Sequence, residues 1–166
     1  MRRTRVRALA EDARNHIPVI LLEDPESQMV IPIWIGIPEA SAISFQMQQR
    51  DFPRPLTHDL MKNVIEQLSG DLEKVMIDSI HDQTFHATLF VRTDAGEVRE
   101  IDARPSDSIA LALRTESPIY IAADVFRETA IESPFKEDEE EEKDKQKFQE
   151  FIQGDMSLDD FKKFKR

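Results

Sequence analysis

Five side chains able to move a proton or hold a cation, Glu39, His58, Asp59, Asp102 and Asp107, stand close to points where the chain changes from an extended to a helical pattern. Three groups suited to an anion accompany them: Arg54 between Pro53 and Pro55, Arg104 ahead of Pro105, and Ser106. Helix openings present N–H groups with no intrahelical acceptor, so Glu39, Thr57–Asp59 and Pro105–Asp107 mark three places where an anion is favoured. Arginine adds a planar fork that matches a phosphate, and His58 adds a proton acceptor or donor near neutral pH. The carboxylates oppose an anion unless a metal intervenes, yet no spacing matches an HExxH pair or an EF-hand loop. Each residue also has an architectural reading. Asp59 and Asp107 suit the first turn of a helix, Ser106 a cap, and Arg104 a lock on Asp102 or Asp107. His58 reads more often as a surface or packing histidine, Trp34 as core, and His16, His81 and His86 as structural residues.

Those residues need elements to carry them. Thr4 to Ala10 sets Arg5 and Arg7 against Val6 and Ala8, which reads as an edge strand. Ile17–Leu22 and Met29–Ile35 are strands around the turn Asp24-Pro25-Glu26-Ser27, apolar on both faces, so much of their surface is expected to meet a second copy. Pro38 and Glu39 open a helix with Ala40, Ile43 and Met47 on one face. Thr57 is the expected cap of a second helix, with Leu60, Met61, Val64, Ile65 and Leu68 as its stripe and Gly70 as its stop. Leu72–Ile80, Thr84–Thr93 and Glu97–Ala103 are strands, the last two joined through Asp94-Ala95-Gly96. Ser108–Arg114 is a buried helix, Ile119–Ile121 a core strand, and Asp124 caps a short helix to Ala130. Pro18–Met47 and Thr84–Leu113 repeat the order strand, turn, strand, loop, helix. The expected fold is α+β, with duplicated hairpin–helix units forming a curved mixed sheet with packed helices.

Composition sets the outer limits. The 166 residues suit one domain, and no cysteine is present, which excludes disulfides, thiolate catalysis and Cys-based metal sites. A net charge of −11 opposes wholesale attraction to phosphate backbones without excluding a local basic site. No apolar run approaches the roughly 20 residues that span a bilayer, and the basic start lacks the apolar stretch of a signal peptide, so a cytoplasmic protein is expected. The domain is expected over residues 1–132. Residues 133–146, centred on KEDEEEEKDK, read as an acidic flexible linker, and 147–166, with Phe148, Phe151 and Phe161, as a short helical tail.

Four ordered segments resemble the bifunctional nuclease family: Pro18–Leu22, Ile31–Gly36 with Glu39-Ala40, Pro53–Leu60, and Ile101–Arg114. The likeness runs over about residues 4–131. Ala10–Asn15 lacks a glycine common after the first family strand, and Asp82-Gln83-Thr84 replaces a usual Asp-Gly-Thr. The resemblance implies an α+β fold with a curved sheet, commonly a homodimer, and a nuclease label covering RNA and DNA; the substrate expected here is RNA and/or single-stranded DNA. RNA brings its own 2′-hydroxyl as nucleophile, whereas DNA needs activated water, commonly at Mg²⁺ or Mn²⁺ held by carboxylates. The catalytic candidates are then His58, Asp59, Asp102 and Asp107; Arg54, Arg104 and Ser106 bind substrate phosphate; Glu39 and Asp102 are the metal ligands. His58 and Asp102 are expected to matter more to turnover than to folding, because both lie at element ends. The alternative is a non-catalytic dimeric module that recruits a partner through its C-terminal tail.

Overall fold

The computed structural model describes residues 1–134. Nearly all of the linker and the whole tail expected after residue 132 therefore lie outside the described residues. The order is β1 (Arg2–Asp12), β2 (Ile17–Glu23), β3 (Met29–Trp34), α1 (Ile37–Met47), α2 (Thr57–Gln67), β4 (Asp71–His81), β5 (Thr84–Arg92), β6 (Val98–Ala103), α3 (Pro105–Thr115), β7 (Ile119–Ile121), α4 (Ala123–Thr129) and β8 (Ile131–Glu132). The strands form one open mixed sheet, β6-β5-β4-β7-β1-β2-β3-β8, in which β4–β7 is the parallel pair. The fold is α+β with four packed helices, as the pattern predicts. The two hairpin–helix units are β2-β3-α1 and β5-β6-α3, and their helices pack on each other.

Local chemistry explains the elements. In the β2–β3 turn, Asp24 accepts from the Glu26 N–H at 3.0 Å and the Ser27 hydroxyl at 2.8 Å, while Arg2 reaches its carboxylate from β1 at 2.6 Å. The β4–β5 turn places Asp82 at φ 48° and Gln83 at φ 62°, the paired left-handed geometry of a tight hairpin, without the glycine that relieves it. α3 carries the densest core: Ile109, Ala110, Leu111 and Ala112 are buried with Leu89, Val75 and Ile43.

Several expectations give way. β1 is not an edge strand, since β7 and β2 flank it; Glu23 of β2 meets the exposed Arg5 at 2.8 Å and the half-buried Arg7 at 3.7 Å. Trp34 is not core. Strand alternation sends Ile31 and Ile33 inward and Trp34 outward, 48% exposed, with its indole N–H donating to Asp12 at 3.2 Å. Thr57 does not cap α2; Leu56 takes that position, and its N–H donates to Asp59 from the first turn at 2.8 Å. Left-handed Ser69, at φ 57°, turns the chain after α2 ahead of Gly70. Both faces of β2 are covered within one chain, Ile20 and Leu22 in the main core, Val19 and Leu21 against Ala8 and Ala10, so this strand supplies no apolar face for a second copy.

Candidate active site

The openings of α1, α2 and α3 converge on one cleft of about 590 Å³, lined among others by Glu39, Phe45, Leu56, His58, Arg104 and Asp107. Prolines at the start of α1 and α3 set this up, fixing the backbone so that the next carboxylate sits in the first turn. A second cleft of about 320 Å³ lies on the other side, with Trp34, Gly36, Gln83, Phe85 and Ser106 in its wall. Glu39 and Arg104 line both, so their ion pair separates the two.

A continuous polar chain runs through the larger cleft. His58 Nε2 donates to Asp107 Oδ1 at 2.9 Å. Arg104 grips the same carboxylate with two bonds, Nε to Oδ2 at 2.7 Å and Nη2 to Oδ1 at 3.1 Å, and reaches Glu39 with Nη1 at 2.9 Å. Burial alone would raise the Asp107 carboxyl; the bonds from Arg104 and His58 outweigh it and hold the group below the usual range. The hydrogen bond to Asp107, followed by the coulombic pull of that carboxylate, raises Arg104 in turn. His58 is only 7% exposed, so it occupies core volume as well as an element end, contrary to the expectation from sequence. With Nε2–H donating to the Asp107 carboxylate, Nδ1 is the ring nitrogen left without a proton.

Other candidates are placed elsewhere. Asp59 is turned away from this chain: its Oδ1 accepts from buried Arg114 Nε at 2.5 Å. Burial raises the Asp59 carboxyl, and the bonds from Arg114 and the Leu56 N–H lower it further than burial raises it. Asp102 stands opposite Thr88 on edge strand β6, exposed, and lines neither cleft. Arg54 is exposed and also lines neither. Ser106 is buried in the wall of the smaller cleft and makes no capping bond. Among the described residues no three or more His, Asp and Glu side chains converge as metal ligands do. Glu39 and Asp107, the carboxylates nearest the cleft, instead share Arg104, and Glu39 is not brought beside Asp102.

Arg114 is the residue the sequence reading missed. It donates to Asp59, to the Ala110 carbonyl at 2.9 Å and to the Ala42 carbonyl at 3.1 Å, tying all three site helices together from beneath. An arginine closing a run as apolar as Ile109–Leu113 was the available signal, since such a residue is buried only when its charge and donors are matched.

The family model of the bifunctional nuclease domain matches residues 19–134. An uncharacterized protein of Mycobacterium tuberculosis is 37% identical over 98% of this chain and 99% of its own length. Bifunctional nuclease 1 of Oryza sativa subsp. indica is 25% identical over 70% of this chain, and bifunctional nuclease 1 of Arabidopsis thaliana 22% over 66%. The matched part spans only 36% and 34% of these two plant proteins. Every element of the site from α1 through α3 lies inside the matched segment, and the chain belongs to the bifunctional nuclease domain family.

Proposed function

We propose that the protein is a nuclease that cleaves phosphodiester bonds of RNA, single-stranded DNA or both in the larger cleft. The observation that carries this reading is the bond from His58 to Asp107, which orients an imidazole beside a cationic guanidinium in a chain of this family. In this scheme His58 takes the proton from the attacking hydroxyl, whether the 2′-OH of RNA or water, and later returns one to the leaving oxygen. Arg104, 65% exposed, keeps outward N–H groups for the phosphoryl oxygens while its inner ones stay on Asp107 and Glu39. If Mg²⁺ or Mn²⁺ takes part, Glu39 and Asp107 line the cleft where Asp102 does not, and they would have to give up bonds to Arg104 to hold the ion, which would neutralise charge developing on those oxygens.

The test is cleavage of single-stranded RNA and DNA by repurified protein, with EDTA and with added Mg²⁺ or Mn²⁺, beside His58→Gln. A positioned acid–base contributes about 10²–10⁴-fold in rate, and a loss of that size is expected. Equal cleavage by His58→Gln would remove this site from the reaction.

A second reading, a non-catalytic dimeric module, is favoured by one feature: Glu39 and Asp107 together outweigh the charge of Arg104 unless His58 is protonated. It predicts no cleavage with any ion. In either reading we take the protein to be a cytoplasmic homodimer. The apolar face open to a second copy is then the outer stripe of α2, Leu60, Val64 and Leu68, all exposed. Among the described residues no helix is long and apolar enough to cross a membrane.

A further inference from the structure

The C-terminal end of α1 builds a feature that the reaction scheme leaves unused. After Met47 the chain reverses through Gln49 at φ 52°, and the Arg50 N–H returns to the Phe45 carbonyl at 2.9 Å. This reversal lays Arg50 and Phe52 back onto Phe45. The two rings sit 4.9 Å apart between centroids and are tilted by 57°, and the Arg50 guanidinium carbon lies 5.4 Å from each centroid. Neither ring is fully buried; both are half-buried, with an edge open to solvent. Phe45 forms part of the same cleft wall as His58, Arg104 and Asp107. Arg50 and, four residues on, Arg54 are exposed and make no ion pair among the described residues, and Asp51 between them pairs with neither. In a chain of net charge −11, two arginines outside any described ion pair, beside a half-buried aromatic pair, are a local reversal of sign.

We propose that Phe45, Arg50 and Phe52 form a stacking platform for an unpaired nucleobase, which sets the neighbouring phosphate against Arg104 and His58. The inference rests on the nuclease reading for its substrate and adds a preference within it. Aromatic rings capped by a guanidinium stack on any base, because every base presents a π-face, so the platform selects for single strands rather than for sequence. A base inside a duplex is already stacked on its neighbours and is not offered. A cleft of about 590 Å³ is within the size range that encloses a drug-sized or nucleotide-sized group. Arg50 and Arg54 then attract the backbone that flanks the stacked base.

The experiment uses the full chain and two fluorescent single strands of ten positions: oligo(dT), and the same backbone with every base removed. Binding is followed by anisotropy at one fixed salt concentration in EDTA. Wild type is expected to bind oligo(dT) about tenfold or more tightly than the abasic strand, the order of one or two stacked bases. Phe45→Leu should bind both strands alike, and Phe45→Trp should restore the preference. Arg50→Gln, at an exposed position, should narrow it and covers the case in which Phe45→Leu fails to fold. A wild type that does not distinguish the strands, or folded Phe45→Leu and Arg50→Gln proteins that distinguish them as wild type does, would overturn the platform while leaving cleavage at His58 intact. A Phe45-dependent preference in a protein that cleaves neither RNA nor DNA would support the platform and sink the nuclease reading instead.

Discussion

Asp107→Asn removes one charge from the site and leaves its shape in place. Two costs follow from the geometry. The pair with Arg104 lies at the surface, with the guanidinium 65% exposed, so losing it costs about 0.5 kcal/mol. The bond from buried His58 persists on the asparagine oxygen but changes from a charged to a neutral acceptor, which costs about 1 kcal/mol. A total of about 1–2 kcal/mol corresponds to a melting temperature lower by about 4–8 °C at pH 7 for a body of this size. The sign with pH follows from the lowered Asp107 carboxyl. A group whose pKa is depressed by folding contributes stability above its unfolded value, near 3.9, and loses it as pH falls through the lower folded value. Melting temperatures of wild type and Asp107→Asn should therefore differ at pH 5 and above, and the difference should shrink as pH falls below about 4. Cleavage should fall by about 10²–10⁴-fold because the imidazolium loses its counter-charge. Coincident melting at pH 7 would refute the bonded geometry itself. The expected stability loss with full activity would make the His58–Asp107 pair architectural and nothing more.

Arg114→Met strands Asp59 and the Ala42 carbonyl, and should lower stability by about 2–3 kcal/mol, less than a fully buried pair because Asp59 keeps some water; urea unfolding should show a lower midpoint at unchanged slope. Trp34→Ala should cost about 1 kcal/mol or less by thermal melting, whereas a core tryptophan would cost about 3–5. Asp102→Asn, on the exposed edge strand, should leave both melting and cleavage within twofold of wild type; a large loss of cleavage would place catalysis outside the larger cleft. Light scattering at tens of micromolar should give a dimer that Leu68→Glu dissociates, and a monomer mass for wild type would count against the α2 stripe as an interface.

Where local chemistry decides the structure, the sequence is readable. Pro38-Glu39 and Pro105 fix helix starts by their own φ and charge, and the Ile109–Leu113 run has no polar side to expose, so it must be covered. The three helix openings were legible one by one for the same reason. Their convergence was not, because the partner of His58 lies 49 residues away and only the packing of α1 and α2 on α3 brings the two together. Asp102 and Asp107 look equivalent on the page. They separate because a strand places alternate residues on opposite faces while the helix after Pro105 turns its first carboxylate back toward α2. The same period of two puts Trp34 outside although both of its neighbours point in. β1 misled for a different reason: its arginines signal a solvent-facing row, which Arg5 does supply, but a strand paired on both sides can still carry such a row on one face, and Glu23 from the next strand meets both arginines.

Strand β7, only three residues long, joins β4 on one side to β1 on the other, and so splices two otherwise separate runs of antiparallel strands. Its residue Ile119 meets Thr4 across 115 residues of chain. A ribosome adding about 5–20 residues per second needs roughly 6–20 s to cover that distance. During that interval β1, β2 and β3 can pair, and so can β4, β5 and β6, but the two halves have nothing between them and each presents an open inner edge. Open edges invite pairing with other nascent chains. The inner edge of β1, Arg2–Thr4, waits longest, until Ile119–Ile121 emerge and close the sheet.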